Sequence, residues 1–126
     1  MAGYSLSIYA DKTGGARDLE LDPKGNVLVS IPSDGKVLKL PQKTVVVEKL
    51  NKPHGLAFYK DKLYIAETNQ VAMYDYDQAT FKATNKKKLF DLPSGGNHIT
   101  RSIIFKDDKL YVSTGSSCNV CVEDDN

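Results

Sequence analysis

The chain reads as all-β, with repeated four-stranded antiparallel sheets of the β-propeller kind. Short apolar runs alternate and are rich in valine, isoleucine and tyrosine, one strand–turn–strand pattern recurs three times, and no long amphipathic helix is visible.

Residues 17–30, 53–66 and 101–113 each read as an apolar strand, an Asp/Lys/Gly turn and a second apolar strand, and they can be laid over one another with Arg17 against Pro53. From Val27 to Leu63 to Leu110 the spacings are 36 and 47 residues, bracketing the roughly 40–50 of a four-stranded blade. Residues 36–40 and 44–47 supply further strands after the first hairpin, and residues 70–76 and 88–90 after the second. Ser33-Asp34-Gly35, Leu40-Pro41 and Leu92-Pro93-Ser94-Gly95-Gly96 punctuate them with residues that accept or fix turn dihedrals. Alternation predicts that Val27, Val29, Leu63, Ile65, Leu110 and Val112 bury side chains against neighbouring sheets. Tyr59, Tyr64, Tyr74, Tyr76 and Tyr111 read as sheet-packing aromatics.

A closed propeller needs about 4–8 blades, whereas 126 residues supply roughly two and a half at this period. The chain is therefore expected to be one partial propeller segment, residues 1–126, with units near 7–47, 48–92 and 93–126. A fragment of a longer protein is the preferred reading, and several chains closing one ring is the alternative. Exposed blade edges predict self-association.

Seventeen Lys and Arg against sixteen Asp and Glu leave a formal charge of +1, so no electrostatic footprint for nucleic acid or an anionic membrane is present. Lys86-Lys87-Lys88 reads as a solvated turn that blunts a sheet edge. No apolar segment approaches a membrane span. Met1-Ala2-Gly3-Tyr4 lacks the apolar stretch of a signal peptide, so an exported form would have lost its leader.

Cys118-Asn119-Val120-Cys121 is the only cysteine pair. A structural zinc site wants four ligands, and no βαβ pattern supports a thioredoxin-like dithiol. A local Cys118–Cys121 disulfide and a pair of reduced, inert thiols both stay open.

Gly95-Gly96-Asn97-His98 leads into the third hairpin and sets His98 and Arg101 where a scaffold can aim polar groups into a shared pocket. Read from spacing alone, His98 could equally cap the loop through a backbone hydrogen bond. Arg101 could pair with an aspartate of a neighbouring turn, and His54, which follows Pro53 in the middle unit, favours a structural role.

Gly95-Gly96-Asn97-His98 before residues 101–105, followed by residues 109–121, resembles the soluble quinoprotein sugar dehydrogenases. These are the glucose, aldose and sorbosone dehydrogenases that use pyrroloquinoline quinone. Residues 16–27 and 52–57 resemble loops leading into blades of that family, so the likeness covers roughly residues 7–123. It implies the N-terminal part of a six-bladed propeller, with pyrroloquinoline quinone and calcium as cofactors, a small sugar as substrate and a periplasmic or secreted location. It implies that His98 is the general base taking the sugar hydroxyl proton. An imidazole of pKa about 6.5 suits that task near pH 7. It also implies that Arg17, Asn97 and Arg101 bind cofactor or substrate. Asn97 departs from the aspartate frequent in glucose-oxidising relatives, which removes a charge that could tune the base.

Three functional classes follow. The first is a fragment of a quinone-dependent sugar dehydrogenase that is inactive alone, because its relatives gather cofactor contacts from several blades. The second is a non-catalytic propeller module used for binding. The third is a calcium-dependent lactonase-like propeller, for which Glu67 and Asn69 offer oxygen ligands of the right type.

Overall fold

The computed structural model describes residues 3–93 and 99–115. Ten strands follow one another among these residues: β1 (Leu19–Leu21), β2 (Val27–Ile31), β3 (Lys36–Lys39), β4 (Thr44–Val47), β5 (Leu56–Tyr59), β6 (Lys62–Ala66), β7 (Gln70–Tyr76), β8 (Ala83–Asp91), β9 (Arg101–Lys106) and β10 (Lys109–Thr114). They form two four-stranded sheets, β1-β2-β3-β4 and β5-β6-β7-β8, and a two-stranded sheet of β9 and β10. Every pairing is antiparallel between chain neighbours. The sheets stack in succession as the blades of a partial β-propeller. No helix among the described residues is long and apolar enough to cross a membrane.

Local chemistry explains the hairpins. Lys60 and Asp61 both adopt positive φ (48° and 63°), as do Asp107 and Asp108 (50° and 62°), the signature of a two-residue turn whose twist matches the strands it joins. The first hairpin turns over three residues instead. Asp22 and Asn26 are joined by an N–H···O bond of 2.8 Å, and Gly25 donates to the Asp22 carbonyl at 2.9 Å. After a 3₁₀ turn at Pro32–Asp34 the chain reverses at Gly35, whose φ is 65°. A Cβ there would lie 2.6 Å from the Leu50 carbonyl oxygen, so only glycine fits.

Period-two alternation sorts side chains between two faces. Leu28, Val37 and Val46 of the first sheet pack with Leu56, Leu63, Ile65, Ala72 and Tyr74 of the second. The second sheet's opposite face presents Ala57, Ala66 and Val71 to Ile103, with Tyr64, Phe105, Leu110 and Val112 half-buried around them. Tyr59 stacks on Phe105 at 4.5 Å and Tyr64 meets the same ring edge-on at 4.7 Å. Val29, Ile31, Leu38 and Leu40 form a third cluster on the first sheet's outer face, under Ala10 and Ala16. The strands that open each sheet adjoin in order, β1 beside β5 and β5 beside β9.

The structure revises several local expectations. Lys86, Lys87 and Lys88 are not in a turn but inside β8. Among the described residues that strand pairs with β7 alone, through two register shifts, and exposed Lys87 and Lys88 keep its outer edge hydrated. Val27 and Val29 belong to the outer-face cluster rather than to the contact between sheets, which takes Leu28 from that strand instead. Tyr111 is 52% exposed, because its face of β10 has no sheet against it among the described residues.

Candidate functional site

Strand register brings three of the candidate residues to equivalent places. Arg17 N–H donates to the Ser30 carbonyl and Ser30 N–H to the Asp18 carbonyl, both at 3.0 Å. His54 N–H donates to the Ala66 carbonyl and Ala66 N–H to the Gly55 carbonyl, both at 2.9 Å. In each hairpin two residues of the incoming segment face one of the next strand, a bulge that re-aims the side chains at its start. Extending the third hairpin's register, in which Arg101 faces Thr114, puts Arg101 in line with Arg17 and His54. Arg17 therefore corresponds to His54 and not to Pro53. The offset arises because the first hairpin has one more turn residue than the others.

The three residues have different surroundings. Arg17 is exposed, and its Nη1 donates to the Ala16 carbonyl at 3.1 Å. It lines a hollow of about 580 Å³ on the first sheet's outer face together with Tyr9, Thr13, Leu19 and Leu40. His54 is half-buried, with Nδ1 2.9 Å from the Arg101 carbonyl oxygen. A carbonyl only accepts, so Nδ1 carries the proton in this contact. This contact ties the second sheet to the third, the structural role expected for His54. Asp18 makes the matching tie between the first two sheets, its Oδ2 accepting from Leu56 N–H at 3.0 Å.

Arg101 is 3% exposed. Its Nη2 donates to the Pro93 carbonyl at 2.7 Å and its Nη1 to the Thr100 carbonyl at 2.9 Å. These carbonyls lie on either side of residues 94–98.

The turn between β6 and β7 reaches the same segments. Thr68 Oγ1 donates to the Ile99 carbonyl at 3.3 Å, and Leu92 N–H donates to the Asn69 carbonyl at 2.8 Å. Glu67, 2% exposed, anchors this turn. Its Oε1 accepts from Asn51 N–H at 2.7 Å, and its Oε2 accepts from the Gln70 amide and from Lys86 Nζ, the latter at 3.0 Å. The Glu67 carboxylate, offered to calcium in the lactonase-like alternative, thus takes protein donors on both oxygens. A buried carboxylate needs such partners, and Lys86 supplies the opposite charge. The sequence signal was present in Glu67-Thr68-Asn69-Gln70, but its partners, Asn51 and Lys86, lie 16 and 19 residues away.

His98, Asn97, Cys118 and Cys121 lie outside the described residues. Among the described residues no three His, Cys, Asp or Glu side chains gather to hold a metal. Of the two arginines, Arg17 is exposed, whereas Arg101 directs Nη1 and Nη2 to backbone carbonyls.

A family model described as TrAA12-like matches residues 1–125. The chain belongs to the TrAA12-like family. No curated protein matches it. Solved structures share its fold. The iodide structure of the Trichoderma reesei Carbohydrate-Active Enzymes Family AA12 protein superposes with a TM-score of 0.76 at 19% identity, over 93% of this chain and 34% of that one. The calcium structure of that protein gives 0.68 at 22% identity, over 86% and 32%. The holo form of the pyranose dehydrogenase PQQ domain from Coprinopsis cinerea gives 0.64 at 23% identity, over 82% and 28%. This TrAA12-like chain spans about one third of the length of these structures, with 34%, 28% and 32% covered. At such identities the likeness establishes the propeller fold.

Proposed function

We propose that this TrAA12-like chain is part of a pyrroloquinoline-quinone-dependent oxidoreductase that oxidises a small sugar, an aldose or sorbosone-type substrate, and that it is silent without further blades. The observation that carries this reading is the family match over residues 1–125. A solved neighbour named as the PQQ domain of a pyranose dehydrogenase supports it.

Pyrroloquinoline quinone, when bound, would accept the hydride from the sugar carbon. The chain's part is to take the hydroxyl proton and to orient the reactants. His98 has that role, since a neutral imidazole accepts a proton near pH 7. Arg17 offers an exposed guanidinium suited to a carboxylate. Calcium, when bound, would take oxygen ligands, and no group of three His, Cys, Asp or Glu side chains gathers among the described residues.

The test is dye reduction with pyrroloquinoline quinone, calcium and a panel of aldoses. It is run on this chain, on a complete propeller containing it, and on that propeller with His98→Ala. The complete propeller turns over and this chain alone does not. His98→Ala lowers kcat by about 10²–10⁴-fold, the usual contribution of a positioned base. Full activity in His98→Ala removes that residue from the mechanism. A complete propeller that binds no quinone leaves the binding-module reading in its place.

A further inference from the structure

We infer that Arg101 is a positioning residue that pins the two flanks of residues 94–98 to the propeller, and not a cofactor contact. The inference rests on the proposed role of His98, and it reassigns a residue to which the family resemblance gave cofactor binding.

The supporting geometry lies entirely in described residues. Arg101 grips the Pro93 carbonyl at 2.7 Å on one side of residues 94–98 and the Thr100 carbonyl at 2.9 Å on the other. Sheet two holds the same two flanks. Asn69 receives Leu92 N–H at 2.8 Å, and Thr68 Oγ1 reaches the Ile99 carbonyl at 3.3 Å. Arg101 is itself located by its own backbone, whose carbonyl accepts from His54 Nδ1 at 2.9 Å. Gly55 lets β5 approach there, since a Cβ at that position would stand 2.5 Å from the Arg101 carbonyl oxygen. The flank at Leu92 and Pro93 is thus held by both the Arg101 guanidinium and sheet two, and the flank at Ile99 and Thr100 by sheet two through Thr68 and locally by Arg101. A planar guanidinium suits this task because its fixed fork reaches two carbonyls at once. A general base gains its rate advantage only when held within hydrogen-bonding reach of its proton, so fixing both flanks acts directly on catalysis.

The experiment has two arms. In the first, amide hydrogen exchange is measured on this chain as wild type, Arg101→Gln, Arg101→Lys, Thr68→Val and Arg17→Gln. Loss of the clamp speeds exchange at Leu92 and at Ile99 to Arg101 by roughly tenfold in Arg101→Gln. Thr68→Val gives a smaller rise, Arg101→Lys a partial one, and Arg17→Gln none. Exchange at Leu63, in the core, stays at the wild-type rate in Arg101→Lys and so reports that the variant is folded. In the second arm the complete propeller is titrated with pyrroloquinoline quinone and assayed. Arg101→Gln keeps quinone affinity within about twofold and KM unchanged, while kcat falls by roughly tenfold or more and Arg101→Lys restores part of it.

Unchanged exchange at the flanks overturns the clamp. Weakened quinone affinity with unchanged exchange overturns it in favour of a cofactor contact. A complete propeller that binds no quinone defeats the proposed function but leaves the exchange arm to decide the clamp.

Discussion

Asp22 sits in a surface turn yet is only 4% exposed. Its carboxylate accepts from Lys24 N–H at 2.9 Å, Asn26 N–H at 2.8 Å, Asn26 Nδ2 at 2.9 Å and Tyr76 Oη at 2.8 Å. Burial raises its pKa, but these donors outweigh that effect and hold it below the ordinary aspartate value. Tyr76 is pushed up, first by burial and then by the hydrogen bond to Asp22. A carboxylate with a depressed folded-state pKa stabilises the fold above its unfolded pKa of about 3.9, and that stability is lost as pH falls through the folded value. Asp22→Ala is therefore expected to cost about 2 kcal/mol at pH 7, with the difference from wild type shrinking below about pH 4. Urea unfolding of both proteins at pH 7 and pH 3 measures this, and an equal gap at the two values would contradict it.

Element packing gives sharper contrasts than residue type. Leu63 and Ile104 both lie in strands, but Leu63 is fully buried between sheets and Ile104 is 65% exposed. Leu63→Ala should cost about 2–5 kcal/mol, whereas Ile104→Ala should stay within about 0.5 kcal/mol. Equilibrium denaturation separates the two. Gly55→Ala tests the contact between β5 and β9. The added methyl would meet the Arg101 carbonyl oxygen at 2.5 Å and Ile103 N at 2.9 Å, both backbone atoms that cannot swing aside. The expected loss is about 1–3 kcal/mol, seen as a lower Tm. An unaltered Tm would mean that β9 can shift without penalty.

Across the described residues, the sheets bury their shared faces and leave parts of the terminal faces exposed. The first sheet's outer side carries the 580 Å³ hollow, with Leu19 63% and Leu21 56% exposed. The third sheet shows Ile104 at 65% and Tyr111 at 52%. Exposed apolar surface of this extent favours association. Sedimentation velocity should show concentration-dependent self-association of this chain. Leu19→Lys combined with Leu21→Lys should move it toward monomer, and a wild type that stays monomeric at high concentration would refute the expectation.

Strand positions were legible because they depend on chemistry within a few residues. Alternation places Leu63 and Ile65 on one face and Tyr64 and Ala66 on the other, and Lys60-Asp61 and Asp107-Asp108 accept the positive φ that a tight hairpin requires. Three repeats of that local grammar suffice to read stacked β-sheets. The site was legible only in its residue types. A single extra residue in the turn after Asp22 shifts Arg17 into register with His54, which spacing did not show. Lys86 looked like part of a solvated turn until β8 carried it to the buried Glu67 carboxylate. Glu67 offered calcium-type oxygens until Asn51, Gln70 and Lys86 occupied them. Arg101 looked the same as Arg17 in the sequence, yet one guanidinium is buried against backbone carbonyls and the other is exposed. Period and turn chemistry act along the chain and can be read from neighbours. Burial and hydrogen-bond partnership join residues tens of positions apart, so they take definite form only when the sheets pack.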